Sequence, residues 1–130
     1  MPAVTFSNPA GVWPPISCYS HAAAIQGGAR RLVISGQVGI APDGSAAQDG
    51  AAQVAQAFAN LRTILEANGM GFRDVVKTTA YVTDSAMVGV FRAHRDALFP
   101  EHPPASTLVI VAGLVDPRFK VEIEAEAVAG

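Results

Sequence analysis

The sequence predicts an α+β fold, with one mixed β-sheet and two helices packed on one of its faces. Three observations lead there. The stretch from Phe119 to Val128 alternates strictly, with Val121, Ile123, Ala125 and Ala127 on one side and Glu122, Glu124 and Glu126 on the other. Such alternation marks a half-buried strand. Between Asp49 and Asn68, apolar side chains recur at helical spacing as Val54, Phe58, Leu61 and Leu65, the pattern of a helix with one buried stripe. The elements then follow the order strand, strand, helix, strand, helix, strand, strand, which places helices on one side of a mixed sheet.

Taken in order, Met1 to Cys18 form a proline-rich arm, where Pro2, Pro9, Pro14 and Pro15 interrupt regular structure. Trp13 is expected to anchor this arm by packing. Tyr19-Ser20-His21 opens an apolar run, Ala22 to Ile25, and Gly27-Gly28 separates it from a second run, Arg31 to Ser35. Two such runs around a Gly-Gly pair read as a β-hairpin. Gly36 to Ile40 end that strand, and Asp43-Gly44 is a turn. The first helix has Asp49 as its N-cap and Gly69 after its end, while Gln53, Gln56, Asn60 and Arg62 lie off the apolar stripe. A strand follows from Val75 to Val82, with Val76, Thr78, Ala80 and Val82 on one face and Lys77, Thr79 and Tyr81 on the other. Ser85 or Asp84 caps a second helix, Met87 to Phe99, whose apolar side is Val90, Phe91, Ala97 and Leu98 and which Pro100 stops. Strands Ser106 to Val111 and Phe119 to Val128 close the chain.

Composition narrows the function classes. The chain's 130 residues suit one domain spanning 1–130, and 50% hydrophobic content is enough for a core. Charged residues are only 15%, a balance that suits burial of surface against further copies of the chain. A net charge of −2 gives no footprint for nucleic acid or an anionic membrane. Cys18 is the only cysteine, so no intrachain disulfide forms. With no membrane-length apolar run and no signal-peptide pattern, a cytoplasmic location is expected. His21, His94 and His102 are dispersed, so no metal site is expected. Gly27-Gly28, Gly69 and Gly71 lack the spacing and the lysine of a phosphate loop. Nothing local pairs Cys18 or Ser106 with a histidine as a nucleophile and base.

The three glutamates of the last strand repel one another if they share a face. Two readings fit: a solvated edge, or a face that meets a pocket or another subunit and carries one working carboxylate.

Several segments resemble the Rid/YjgF family of reactive intermediate (enamine/imine) deaminases and their non-deaminase relatives. They are Ser35-Gly36-Gln37, Asp74 to Thr79, Pro103 to Val109, Val111 to Phe119 and Val121 to Ala125. The resemblance runs from about Tyr19 to Ala127 in the family's order. It implies a chorismate mutase-like homotrimer with ligand clefts between subunits, binding a small metabolite without a cofactor. Carried over position by position, it implies Glu122 as the catalytic carboxylate that handles water, with Tyr19 and Gly36 in the substrate site. The family's carboxylate is the first of the Glu-Ile-Glu run, which separates Glu122 from its two neighbours.

One position departs from the pattern. The deaminases carry Pro-Ala-Arg-Ser, whose arginine forks onto the substrate carboxylate, and here Pro104-Ala105 is followed by Ser106. A serine hydroxyl supplies neither the charge nor the paired donors of a guanidinium. Leu108 stands where many deaminases have a small or polar residue. Arg92 and His94, on the second helix, are either solvated surface or replacements for the missing charge. Two functions remain open: a hydrolase of enamines or imines with weak or no activity on 2-aminoacrylate, and a non-catalytic trimer that binds a small metabolite as a sensor or scavenger. An RNA-cleaving role is sometimes attached to the family, and the acidic balance argues against it here.

Overall fold

The computed structural model of the protein describes residues 3–11, 14–15, 18–99 and 101–130. The packing role expected of Trp13 and the helix stop expected at Pro100 fall outside those residues. The elements are β1 (Val4–Ser7), β2 (Ala22–Ile25), β3 (Arg30–Val38), α1 (Gly50–Ala67), β4 (Val75–Val82), α2 (Ala86–Leu98), β5 (Ala105–Ile110) and β6 (Val121–Ala129), with a short 3-10 turn at Phe72–Asp74. The main sheet has the order β3-β6-β4-β5. It is mixed, since β4 runs parallel to β5 while β6 is antiparallel to both β3 and β4. Among the described residues no helix is long and apolar enough to cross a membrane.

The two faces of the sheet differ as the alternation requires. Val121, Ile123, Ala125 and Ala127 are at most 4% exposed, and Thr78, Ala80 and Val82 on β4 are buried with them, while a register shift between Val75 and Lys77 puts Val75, in place of the expected Val76, opposite Ala127 in the core. α1 closes over this face with Val54, Phe58, Leu61 and Leu65. Asp49 caps α1 by accepting from the Ala52 amide at 3.2 Å, and Gly69 ends it at φ +71°, the left-handed region that glycine enters without strain.

Three further local expectations change, and one open choice is decided. The arm does form a strand: β1 fits between Pro2 and Pro9 and pairs antiparallel with β2, from Val4↔Ile25 to Ser7↔Ala22. β2 therefore does not form a ladder with β3. Gly28 turns the chain at φ +85°, but a glycine turn specifies a reversal and leaves the ladder's partner open. β3 is instead held at its start by the Arg30 guanidinium, which donates to the Asn68 carbonyl at the end of α1. The buried line of α2 is Met87, Phe91 and Arg95, while Ala97 is exposed. Arg95 can sit there because its guanidinium lies 5.6 Å over the Phe91 ring and its Nε donates to Asp96 at 3.1 Å. Finally, Ser85 is the N-cap residue of α2 without a side-chain bond, and Asp84 accepts from the Met87 amide at 3.2 Å.

Candidate functional site

The site begins from a defect in the β3–β6 ladder. Ile34 pairs with Ala125 and Gln37 with Ile123, so Ser35 and Gly36 together oppose Glu124. Such a bulge bends its strand and re-aims the neighbouring side chains. At this point the carboxylate of Glu122 folds back across Gly36. A methyl group at residue 36 would stand 2.0 Å from Glu122 Oε2, so the Glu122 carboxylate occupies the space of a missing side chain and would have to move aside if residue 36 carried one. The two residues that the sequence pairs through the family pattern are therefore in contact.

The row of like charges is resolved by giving two of its members partners. Glu126 forms an ion pair with Arg31. Glu124 accepts from the Tyr81 hydroxyl at 2.8 Å. Glu122 has no hydrogen-bond or ion-pair partner among the described residues. Tyr81 is the cross-strand neighbour of Glu122 on β4. Its hydrogen bond to Glu124 raises the phenol above its usual range, with desolvation and the charges of both glutamates acting in the same direction. Beside them, Lys77 donates to Thr107 at 2.7 Å. An open groove of about 280 Å³ runs between Val33, Lys77, Thr79, Glu124 and Glu126. Val33 is 67% exposed and Val109 is 38% exposed, and both lie in register with this face.

The other expected site residues are placed elsewhere. Ser106 is in register with Thr78, whose side chain is buried on the helical face, and Thr78 Oγ1 donates to Ser106 Oγ at 3.0 Å. Leu108 pairs with Ala80 and packs against the core on that same face. Tyr19 lies at the start of β5, where the Ser20 amide donates to the Pro104 carbonyl at 2.9 Å, and its ring is 6.2 Å from that of His21. Arg92 and His94 are half-buried on α2, in the helical layer, and Arg92 Nε has no partner among the described residues. Within one chain, then, Glu122 and Gly36 meet on the open face, while Ser106, Leu108 and Arg92 belong to the helical side. Tyr81 is the residue that the sequence reading missed. Alternation put it on the correct face, but its partner depends on strand register.

The family model described as Endoribonuclease L-PSP matches residues 12–129. The chain belongs to this family, the YjgF/Rid family. A 2-iminobutanoate/2-iminopropanoate deaminase of Salmonella typhimurium is 40% identical over 102 residues, covering 75% of this chain and 78% of its own. A Mus musculus protein of the same name is 39% identical over 129 residues, covering 97% and 89%. Among solved structures, YyfB from Yersinia pestis, a Rid-family protein of unknown function, matches with a TM-score of 0.89 at 32% identity, over 98% of this chain and 99% of its own. The Rid-family expectation for the fold, two helices with a mixed sheet, holds.

Proposed function

We propose that this Rid-family chain is a cofactor-free hydrolase of small imines, with Glu122 as the carboxylate that handles water, in a cleft that further copies of the chain complete as a trimer. The observation that carries this reading is the isolation of Glu122. It alone of the three glutamates lacks a partner among the described residues, and it fills the space left by the missing side chain of Gly36. A carboxylate with free lone pairs can take a proton from water. The water oxygen then bonds to the imine carbon while the π pair moves to nitrogen, and the proton held by Glu122 passes to that nitrogen. Glu122 then takes the carbinolamine's hydroxyl proton and passes it to the nitrogen, so that the carbonyl forms, the C–N bond breaks and ammonia leaves, with no redox partner required. The names of the deaminase relatives support this reaction type. A row of glutamates is a poor seat for a phosphate backbone, so RNA cleavage is disfavoured.

The substrate differs from that of the named relatives. Ser106 brings no charge, and its hydroxyl is engaged by Thr78. The preferred imine is therefore less anionic near the reacting carbon than a 2-imino acid. The same engagement favours a second reading, a trimer that binds a metabolite without turning it over. One experiment separates the two: ammonia release from a neutral, acyclic N-unsubstituted ketimine and from 2-iminobutanoate, each generated in situ, by wild type and Glu122→Gln. Hydrolysis is expected to fall by about 10²-fold or more in the variant. Binding without ammonia release would leave the second reading.

A further inference from the structure

We propose that Gln53 and Asn60 of α1 are positioning residues for Glu122, an inference that rests on the role given to Glu122 above. Both lie off the apolar stripe of the helix, where the sequence marks a polar side. Yet Gln53 is 0% exposed. Its Nε2 donates to the Ala47 carbonyl at 2.7 Å and the Arg118 carbonyl at 2.8 Å, and its Oε1 accepts from the Lys120 amide at 2.8 Å. Exchanging its oxygen and nitrogen would oppose acceptor to acceptor and donor to donor, so the amide has one orientation. Lys120 stands two residues before Glu122, and the bond therefore holds the start of β6.

Asn60 acts on the other side. Its Nδ2 donates to the carbonyls of Val38 at 3.2 Å and Ile40 at 3.0 Å, and its Oδ1 accepts from Gln56 at 2.8 Å. Val38 is the cross-strand partner of Glu122. Between these two anchors, Gly39 brings the end of β3 against the helix backbone, where an added Cβ would stand 2.6 Å from the Gln53 Cα. The carboxamides thus hold both strands at the position of Glu122, from the opposite side of the sheet. A carboxylate that must meet a reacting atom depends on such support, since displacements near 1 Å can cost about 10²-fold in rate.

The test compares Gln53→Met and Asn60→Leu with wild type, following the ¹³C carboxyl resonances of labelled glutamate and the turnover of the same neutral N-unsubstituted ketimine. Each variant is expected to move the Glu122 resonance and leave that of Glu126 in place. Turnover is expected to fall by up to about 10²-fold, mainly in kcat, with no further loss when Glu122→Gln is already present. If Gln53→Met fails to fold, Asn60→Leu carries the test, because it releases only the β3 side. An unmoved Glu122 resonance in a folded variant would overturn the proposal, as would equal losses with and without Glu122→Gln. If wild type turns over no imine, the hydrolase reading fails while the resonances still decide the role of the carboxamides.

Discussion

The two faces of the β4–β6 pair are built from the same strands and the same period of two, but they solve burial differently. On the helical face every side chain of β6 from Val121 to Ala127 is apolar and covered by the chain itself. On the open face, Glu122, Glu124, Glu126, Lys77, Thr79 and Tyr81 are half-buried without a helix over them. The first face is a core complete in one chain. The second carries polar groups and exposed Val33 beside a groove, the composition of a surface that works in contact with something else. The buried core thus lies on one side of a single sheet and the polar residues of the candidate site on the other.

The sharpest way to break this contrast is to truncate one residue on each side. Leu61→Ala, which removes a side chain 1% exposed under α1, should destabilise the protein by about 2–5 kcal/mol. Glu124→Gln on the open face should change stability far less. Denaturant unfolding of both variants checks this, and equal losses would erase the distinction. Next in size is a gain of function. Ser106→Arg restores a guanidinium at the position where the resemblance places it, and turnover of 2-iminobutanoate should rise while wild type remains poor. A wild-type rate that already matches the deaminase-named relatives would show that another cation clamps the carboxylate.

Assembly tests the open face directly. Light scattering should give a trimer for wild type, and Val33→Glu, which adds a charge to the exposed row, should shift it toward monomer without unfolding it. A monomeric wild type at micromolar concentration would mean that this face is simply solvated. The smallest effect concerns Tyr81. Its hydrogen bond to Glu124 raises the phenol, so the stability it contributes is fully present below the usual tyrosine range and is lost as pH rises through the folded value. With Tyr19→Phe leaving one phenol, phenolate absorbance should titrate later than free tyrosine, and Glu124→Gln should bring it back toward the ordinary value.

Much of this contrast was legible in the chain. Val75–Val82 was expected at its observed bounds, and the alternation of β6 named both faces. Asp49 and Gly69 marked the ends of α1 because capping is a local matter of unpaired N–H groups and a left-handed residue. What failed was long-range. Gly27-Gly28 signalled a turn, but β2 took β1 as partner. Ala97 looked apolar enough for the core, yet the buried line passes through Arg95, whose cost depends on the Phe91 ring beneath it and Asp96 beside it. Gln53 was placed off the apolar stripe and is nonetheless fully enclosed, because the backbone groups of Ala47, Arg118 and Lys120 meet its amide.

By itself, the sequence determined the period of each element, the identity of the buried stripe on α1 and the presence of three carboxylates on one face of β6. These follow from spacing along one segment of chain, where a side chain's direction is set by its own backbone. Only the tertiary structure decided which carboxylate is free. Arg31 takes Glu126, Tyr81 takes Glu124, and the bulge at Ser35-Gly36 opens room for Glu122. Each of those outcomes depends on strand register across residues dozens of positions apart, and a period of two treats the three glutamates as equals.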